Sequence, residues 1–250
     1  DPGWITYAPS VIYQVSRLIG LWSQPGDGVV VHTPCYDAFP KTVAATGRRL
    51  RRVAMGDWAA LERELSHPQT SVLVLCSPHN PTGRVWTEAE LVRIGQLCAR
   101  EGVAVISAEI HSDLTHPPSP HLVFARIAAQ LPDPPRWAVV TSASKSFNIP
   151  ALTGSYGLIP DEATHRDYLA ALSGDGLSSP AVPGLVATIA AYREGGPWLD
   201  ALRNYLWDNL ILVQQRLGES FPQLGWTPPQ AGYLAWIDVR ELGLDHPAAH

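Results

Sequence analysis

The chain has 250 residues, 46% hydrophobic and 16% charged, so it can bury the core of one large domain, or of one domain and part of another. Its formal net charge is −5, and the arginine-rich segment GRRLRR at 47–52 fits a solvated edge better than a nucleic-acid groove. No apolar run reaches the roughly 20 residues of a membrane span. The first ten residues lack both a signal-peptide pattern and an initiator Met. We therefore expect neither a nucleic-acid nor a membrane partner, and the natural chain need not begin here.

The three cysteines, Cys35, Cys76 and Cys98, all lie in apolar segments. Their odd number and their spacing fit neither a disulfide framework nor a zinc site. We therefore predict no metal centre and a protein of the reducing cytoplasm.

Short apolar runs alternate with helical patterns along most of the chain. The runs GVVVHTP, SVLVLCSP, GVAVISAE and RWAVVTSAS, at 28–34, 71–78, 102–109 and 136–144, are rich in Val, Ile and Leu without polar alternation. Such runs are typical of parallel strands that are buried on both faces. Helical patterns occupy 10–22, 36–47 and 86–102. This alternation predicts an α/β domain.

The third helical pattern carries its own start signal. Thr87 stands at the expected N-cap and Glu90 follows three residues later, which is the sequence of a capping box. From about residue 179 the chain is helical, with a break at 194–198, and a strand is predicted at 232–239. We place a domain boundary at the break.

Unusual polar residues follow four of the predicted strands. Ligands of open parallel sheets bind beyond the carboxyl ends of the strands, so these residues should surround one pocket. The four residues are Tyr36, Asn80, His111 and Lys145.

Lys145 is the most informative of these residues, because the chain has only two lysines beside sixteen arginines. Unlike arginine, lysine can lose its proton and form a Schiff base with a carbonyl. The hydroxyls of Ser142, Ser144 and Ser146 provide donors for a phosphate next to the amine. A cofactor that carries both an aldehyde and a phosphate is pyridoxal phosphate. The other lysine, Lys41, is expected at the surface.

The segment from Ser142 to Lys145 also matches the S-x-x-K motif of penicillin-binding proteins and β-lactamases. Those hydrolases also need an S-D-N element and a K-T-G strand, and the sequence contains neither string. We therefore favour the cofactor-binding interpretation of Lys145.

Four segments together resemble fold-type I pyridoxal-phosphate enzymes, and within them the cystathionine β-lyase (C–S lyase) branch of the class I and II aminotransferase superfamily. The segments are SPHNPTGRVWTEAEL, ISAEIHSDL, TSASKSFNIPALTGSYG and GYLAWIDVREL. The resemblance implies a cofactor-binding large domain over residues 1–198, with a mostly parallel sheet flanked by helices. It further implies the beginning of a small α+β domain, truncated, over residues 199–250.

The resemblance also implies roles for individual residues. Lys145 matches the Schiff-base lysine, and Asn80 and His111 match the partners of the cofactor's phenolic oxygen. Tyr36 matches the ring that stacks on the pyridine. Phosphate ligands are matched by Ser142 and by the helix start at Ser10, Val11 and Ile12, where free backbone N–H groups favour an anion.

The implied reaction is α,β-elimination from an amino acid that bears sulfur at Cβ, which yields pyruvate, ammonia and a thiol. Lys145 would act as the general base at Cα. Transamination is the nearest alternative. Aminotransferases often place a phosphate-binding arginine eight residues after the lysine, where this sequence has Thr153, and this difference agrees with the lyase branch. The family also completes its site across a homodimer, and its substrate-carboxylate arginine is expected outside this sequence.

Ala108 departs from the family pattern, because the resemblance implies an aspartate there that keeps the pyridine nitrogen protonated. Glu109 is not expected to replace it, since neighbouring side chains of a strand point to opposite faces. Three explanations stay open: an engineered change, a natural specialist with a weaker electron sink, or a non-enzymatic homologue that binds or regulates.

Overall fold

The computed structural model describes residues 1–243. Its central sheet has seven strands: β1 Ile5–Ala8, β2 Gly28–Thr33, β3 Arg49–Ala54, β4 Thr70–Cys76, β5 Ala104–Ala108, β6 Trp137–Thr141 and β7 Ser155–Leu158. The α-helices are α1 Val11–Trp22, α2 Ala38–Ala45, α3 Trp58–Leu65, α4 Glu88–Glu101, α5 Phe124–Ala128, α6 Ala143–Ser146, α7 Glu162–Gly174, α8 Val182–Glu194 and α9 Gly196–Ser220.

The strands lie in the order β1-β7-β6-β5-β4-β2-β3. From β3 to β6 all neighbours are parallel, and β7 is antiparallel to both β6 and β1. The predicted fold class, a mostly parallel sheet flanked by helices, is confirmed. Because the parallel strands run the same way, the ends of β2, β4, β5 and β6 meet at one edge of the sheet.

Both faces of the sheet are buried, and alternate residues of a strand enter different cores. Val29 and Val31 of β2 belong to the core that contains α1, whereas Val30 between them belongs to the core that contains α3 and α4. This two-sided burial explains why the strands read as unbroken apolar runs.

The predicted capping box at the start of α4 is present. The Thr87 hydroxyl accepts a hydrogen bond from the Glu90 N–H at 3.3 Å, and the Glu90 carboxylate accepts from the Thr87 N–H at 2.9 Å. The helix ends at Gly102, whose φ of 68° lies in the left-handed region that glycine adopts without steric cost. These local signals fix α4 directly before β5.

Several parts of the fold differ from the sequence prediction, which contained neither β1 nor β7. The arginine-rich segment is the edge strand β3, parallel to β2, and charged side chains on an edge strand discourage pairing with a second sheet. The prediction of a strand at 232–239 is wrong. Within residues 1–243 no strand pairs with this segment: an isolated bridge between Thr115 and Ala231 precedes it, and the Gly232 N–H donates to the Leu114 carbonyl at 2.8 Å.

The helical region after residue 179 is confirmed as α8 and α9, which meet at Gly195. The division into domains at 198/199 stays a prediction, and residues 244–250 of the second domain lie outside the described part of the chain. None of the helices in residues 1–243 is both long and apolar enough to cross a membrane.

Candidate active site

A cavity of about 290 Å³ opens at the carboxyl ends of the parallel strands and is closed on one side by the start of α1. The structure brings all nine predicted site residues to its wall: Ser10, Val11, Ile12, Tyr36, Asn80, Ala108, His111, Ser142 and Lys145. These residues come from five separate segments of the chain. They meet because parallel strands present their ends at one edge.

Lys145 lies on the one-turn helix α6, directly after β6. Ser142 caps this helix: its hydroxyl accepts from the Ser144 N–H at 3.1 Å and donates to the Gly154 carbonyl at 2.6 Å. No carboxylate lines the cavity in the described part of the chain, and Lys145 supplies the one formal charge on its wall. Lys41, in contrast, is 76% exposed and pairs with Asp37 at 2.6 Å. The two lysines therefore occupy opposite kinds of environment.

His111 and Asn80 form a neutral polar pair on the wall. The Nδ2 atom of Asn80 lies 3.5 Å from Nε2 of His111, at the outer limit of a hydrogen bond. Burial, and secondly the nearby Lys145 ammonium, lower the pKa of His111 to about 4. His111 is therefore neutral near pH 7. Its buried Nδ1 has no hydrogen-bond partner within residues 1–243, so the pair has unused capacity toward a ligand.

The start of α1 provides an anion-binding group on the same wall. Ser10 is the N-cap, and its hydroxyl accepts from the Tyr13 N–H at 3.1 Å. The N–H groups of Val11 and Ile12 lie in the first turn, where a helix has no carbonyl partners for them. Free donors and the positive end of a twelve-residue helix favour a phosphate or carboxylate here.

The end of β5 separates Ala108 from Glu109. Ala108 is 2% exposed, pairs in register with Cys76 of β4, and lines the cavity together with it. Glu109 is not on the cavity wall. Its carboxylate accepts hydrogen bonds from the Ser107 hydroxyl at 2.7 Å, the Phe124 N–H at 2.9 Å and His121 at 2.8 Å. As expected from strand geometry, the Glu109 carboxylate lies on the face of the sheet opposite the cavity and makes its hydrogen bonds there.

The sequence prediction missed Tyr233 and Leu234, which line the cavity from the segment predicted as a strand. The Tyr233 ring lies 5.8 Å from the His111 ring in an edge-on arrangement. Gln230 anchors the segment: its carbonyl accepts from the His116 N–H at 2.8 Å, and its side-chain oxygen accepts from the Val85 N–H at 3.0 Å. These contacts join distant parts of the chain, so no local sequence pattern predicts them.

Ser144, predicted as a phosphate donor, also lines the cavity, whereas Ser146, predicted for the same role, is fully buried and bonds to Asp113 instead. The lining residues that were not predicted as site residues are Pro9, Phe39, Cys76, Ile110, Pro150, Leu152, Thr153 and Gly154. Most are apolar, and in a single sequence an apolar cavity wall has the same pattern as a core. Tyr36 packs edge-on against Phe39 with ring centres 5.7 Å apart. The wall thus combines one ammonium, a few neutral polar groups and a largely apolar surface.

A mostly parallel α/β sheet with a lysine and a helix start at one cavity is typical of enzymes that bind a phosphate-bearing cofactor at the carboxyl ends of their strands. The chain matches the family model of aminotransferase class I and II over residues 5–249. It therefore belongs to the aminotransferase class I and II family.

Two relatives and one solved structure illustrate the similarity. The chain is 49% identical to Protein MalY of Escherichia coli (strain K12) over 257 residues, covering 99% of this chain and 65% of that protein. It is 36% identical to cystathionine beta-lyase PatB of Bacillus subtilis (strain 168) over 254 residues, covering 98% of this chain and 65% of that protein.

The solved structure is the PLP-bound C–S lyase from Staphylococcus hominis. It matches with a TM-score of 0.91 at 26% identity, covering 98% of this chain and 64% of that one. The chain thus spans 65% of the length of each of the two curated relatives.

Proposed function

We propose that this chain binds pyridoxal 5′-phosphate and is part of a carbon–sulfur β-lyase of the cystathionine β-lyase type. The observation that carries the proposal is the cavity itself, which Lys145 and a helix start line together and which no carboxylate of residues 1–243 lines. The name of the PatB relative and that of the C–S lyase structure support the lyase activity, and the latter is PLP-bound.

The residues present fit this cofactor at three of its groups. Lys145 would hold the aldehyde carbon, and the N–H groups of Val11 and Ile12 would hold the phosphate. The Ser142 hydroxyl would join them by turning its proton from the Gly154 carbonyl to the phosphate. Asn80 and His111, whose Nδ1 has no hydrogen-bond partner within residues 1–243, would contact the phenolic oxygen. Tyr36 would cover one face of the ring. At the ring nitrogen the fit differs from the family pattern, because Ala108 offers no polar atom.

When bound, the cofactor supplies an electron-accepting ring that stabilises negative charge at Cα. Lys145 would hold the cofactor, and a substrate amine that took its place would leave the lysine amine free. That free amine would then accept the Cα proton as general base. The electron pair of the broken Cβ–S bond would leave with the thiolate, and addition of water would yield pyruvate and ammonia. Neutral His111 stays a hydrogen-bond partner, since its pKa near 4 keeps it unprotonated.

Two further functions are favoured by specific observations. Transamination is favoured by the aminotransferase family model, and it would use the same Lys145 with a different fate of the carbanion. A weakly catalytic or regulatory homologue is favoured by Ala108, which removes the partner of the ring nitrogen. In each of these cases the cofactor site is the same.

Product analysis tests the proposal and separates these functions. We expect the cofactor-loaded, full-length protein to release pyruvate from cystathionine faster than it exchanges amino groups with a 2-oxo acid. Lys145→Ala should abolish release, whereas Lys41→Ala, the matched change at the exposed lysine, should leave it unchanged. Faster exchange than pyruvate release would favour the aminotransferase, and cofactor binding without either reaction would favour the regulatory homologue.

We also propose a homodimer in the cytoplasm. The exposed apolar residues Val182, Val186 and Ile189 lie at spacings of four and three on α8, 67%, 59% and 47% exposed, and form a stripe suited to a second copy. The three free cysteines fit a reducing compartment. Sedimentation of the full-length protein should show a dimer that Val186→Asp weakens. A monomer that turns over substrate would contradict this assembly.

A further inference from the structure

A buried hydrogen bond supports α6, the one-turn helix that carries Lys145. The hydroxyl of Ser146, the residue after the lysine, is fully buried and donates to a carboxylate oxygen of Asp113 at 2.7 Å. Asp113 lies in the short turn Ser112–Leu114 that follows His111. The loops after β5 and β6 are therefore joined by a charge-assisted hydrogen bond, which is stronger than a neutral one.

Asp113 is itself held by the helical region after residue 179. Arg203 of α9 donates through Nε to the Asp113 carbonyl at 2.7 Å. The Tyr192 hydroxyl of α8 lies 3.5 Å from the same carboxylate oxygen that Ser146 contacts, and it accepts from the Tyr156 hydroxyl at 3.0 Å. Burial raises the pKa of Tyr192 far above its usual range, so this phenol stays a hydrogen-bond donor. Asp113 thus contacts α6 and α8 through its carboxylate and α9 through its backbone carbonyl.

Apolar packing supports the same position. Phe147, two residues after Lys145, contacts the Tyr192 ring edge-on at 5.4 Å and stacks on the Trp198 ring at 6.1 Å. Gly195, between α8 and α9, comes so close that a Cβ atom there would lie 2.5 Å from the Phe147 ring. The helix carrying the lysine is therefore fixed against the junction of α8 and α9 by both polar and apolar contacts.

A one-turn helix needs such support. A single helical turn is not stable alone, and a lysine amine sits at the end of four flexible methylenes. We propose that Asp113 is a positioning residue for Lys145, which acts through the buried hydroxyl of Ser146. The inference rests on the proposed function, since Lys145 needs a fixed position only if its amine reacts.

The test uses Lys41 as an internal reference. The full-length protein is treated with limiting pyridoxal phosphate and then borohydride, and peptide mass spectrometry gives the ratio of labelled Lys145 to labelled Lys41. Asp113→Ala and Ser146→Ala should each lower this ratio about tenfold, the effect of one charge-assisted hydrogen bond. Because both remove the same contact, the double variant should lose no more than either single variant. Asp113→Asn keeps an acceptor oxygen and should stay within about threefold of the unmodified protein.

Asp57→Ala is the matched control, because the Asp57 carboxylate also caps a chain segment, by accepting from the Ala60 N–H at 2.9 Å, but belongs to α3. It should lower stability without changing the labelling ratio. An unchanged ratio in folded Ser146→Ala, or roughly hundredfold loss in the double variant, would overturn the inference. Should the unmodified protein label only Lys41, the proposed function itself fails, which is a separate outcome.

Discussion

Ala108 and Glu109 are consecutive residues, each 2% exposed, yet they belong to different regions of the molecule. Ala108 lies on the cavity face of the sheet and has no polar side-chain atom. Glu109 lies on the back face, where Ser107, His121 and the Phe124 N–H donate to its carboxylate. A carboxylate one residue away in sequence is therefore unavailable to a ligand in the cavity, because strand geometry sends the two side chains to opposite sides.

The two faces are expected to respond differently to substitution. On the cavity face, Lys145 and Ala108 line the cofactor cavity, so changes there should alter chemistry whatever their effect on folding. On the back face, Glu109 is buried and fully hydrogen-bonded, so changes there should alter folding more than chemistry. Substitutions on each face test this difference.

The largest expected effect is that of Lys145→Arg. Arginine keeps the positive charge, but it does not form a Schiff base or act as a general base near pH 7. We expect pyruvate release to fall at least about a thousandfold, within the range of a lost general base and nucleophile. Thermal unfolding of the cofactor-free protein should change little. Turnover retained within about tenfold would mean that the charge, not the amine, matters at this position.

The second effect is that of Ala108→Asp, which places a carboxylate on the cavity face. With cofactor bound, the new carboxylate should keep the ring nitrogen protonated and raise pyruvate release roughly a hundredfold, equivalent to about 3 kcal/mol in the transition state. Without cofactor, the same buried carboxylate lacks a partner and should lower stability. Ala108→Asn is the control of equal size and should give neither effect in full. An unchanged rate with cofactor bound would make Ala108 part of a specialised or non-catalytic site.

The contrast between Ala108 and Glu109 was predictable from sequence, because it follows from the period of a strand. The four strands that carry the cavity and the capping box of α4 were predictable for the same kind of reason: each depends on local pattern. The edge strand β3 was not predicted, because its arginines interrupt the run of apolar residues by which the other strands were recognised.

The contribution of Tyr233 was not predictable, since it depends on Gln230 bonding to Val85 and His116 across the chain. The segment 232–239 has a strand-like composition, but composition cannot show whether a neighbouring strand pairs with it. Long-range contacts of this kind leave no periodic signal.

The third effect, on the back face, is that of Glu109→Gln. The amide presents an NH₂ group where the carboxylate now accepts from backbone and side-chain donors, so at least one buried donor loses its partner. We expect the free energy of unfolding to fall by about 2 kcal/mol in urea titration, with no change in cofactor trapping at Lys145. Glu62→Gln, at an exposed pair with Arg100, should cost less than about 0.5 kcal/mol. Loss of cofactor trapping in folded Glu109→Gln would remove the distinction between the faces.

The smallest expected effect is that of His111 on the pH dependence of the unfolding free energy. Burial, with the Lys145 ammonium as a second cause, lowers the pKa of His111 from its usual value of 6.5 to about 4. Below pH 6.5 the unfolded chain binds a proton at His111 that the folded protein excludes. Stability is therefore lost as the pH falls from 6.5 toward 4.

Between pH 7.5 and 5.5, His111 should account for roughly 1 kcal/mol of the loss in unfolding free energy of the cofactor-free protein. His111→Asn, which does not titrate, should remove that share of the pH dependence. His32 and His79, whose pKa values are also lowered to about 4 by burial, should supply the acid sensitivity that the variant retains. A pH dependence identical to that of the unmodified protein would mean that His111 becomes protonated without unfolding. The cavity face would then tolerate a second cation beside Lys145, and an anion would be its expected ligand even without the cofactor.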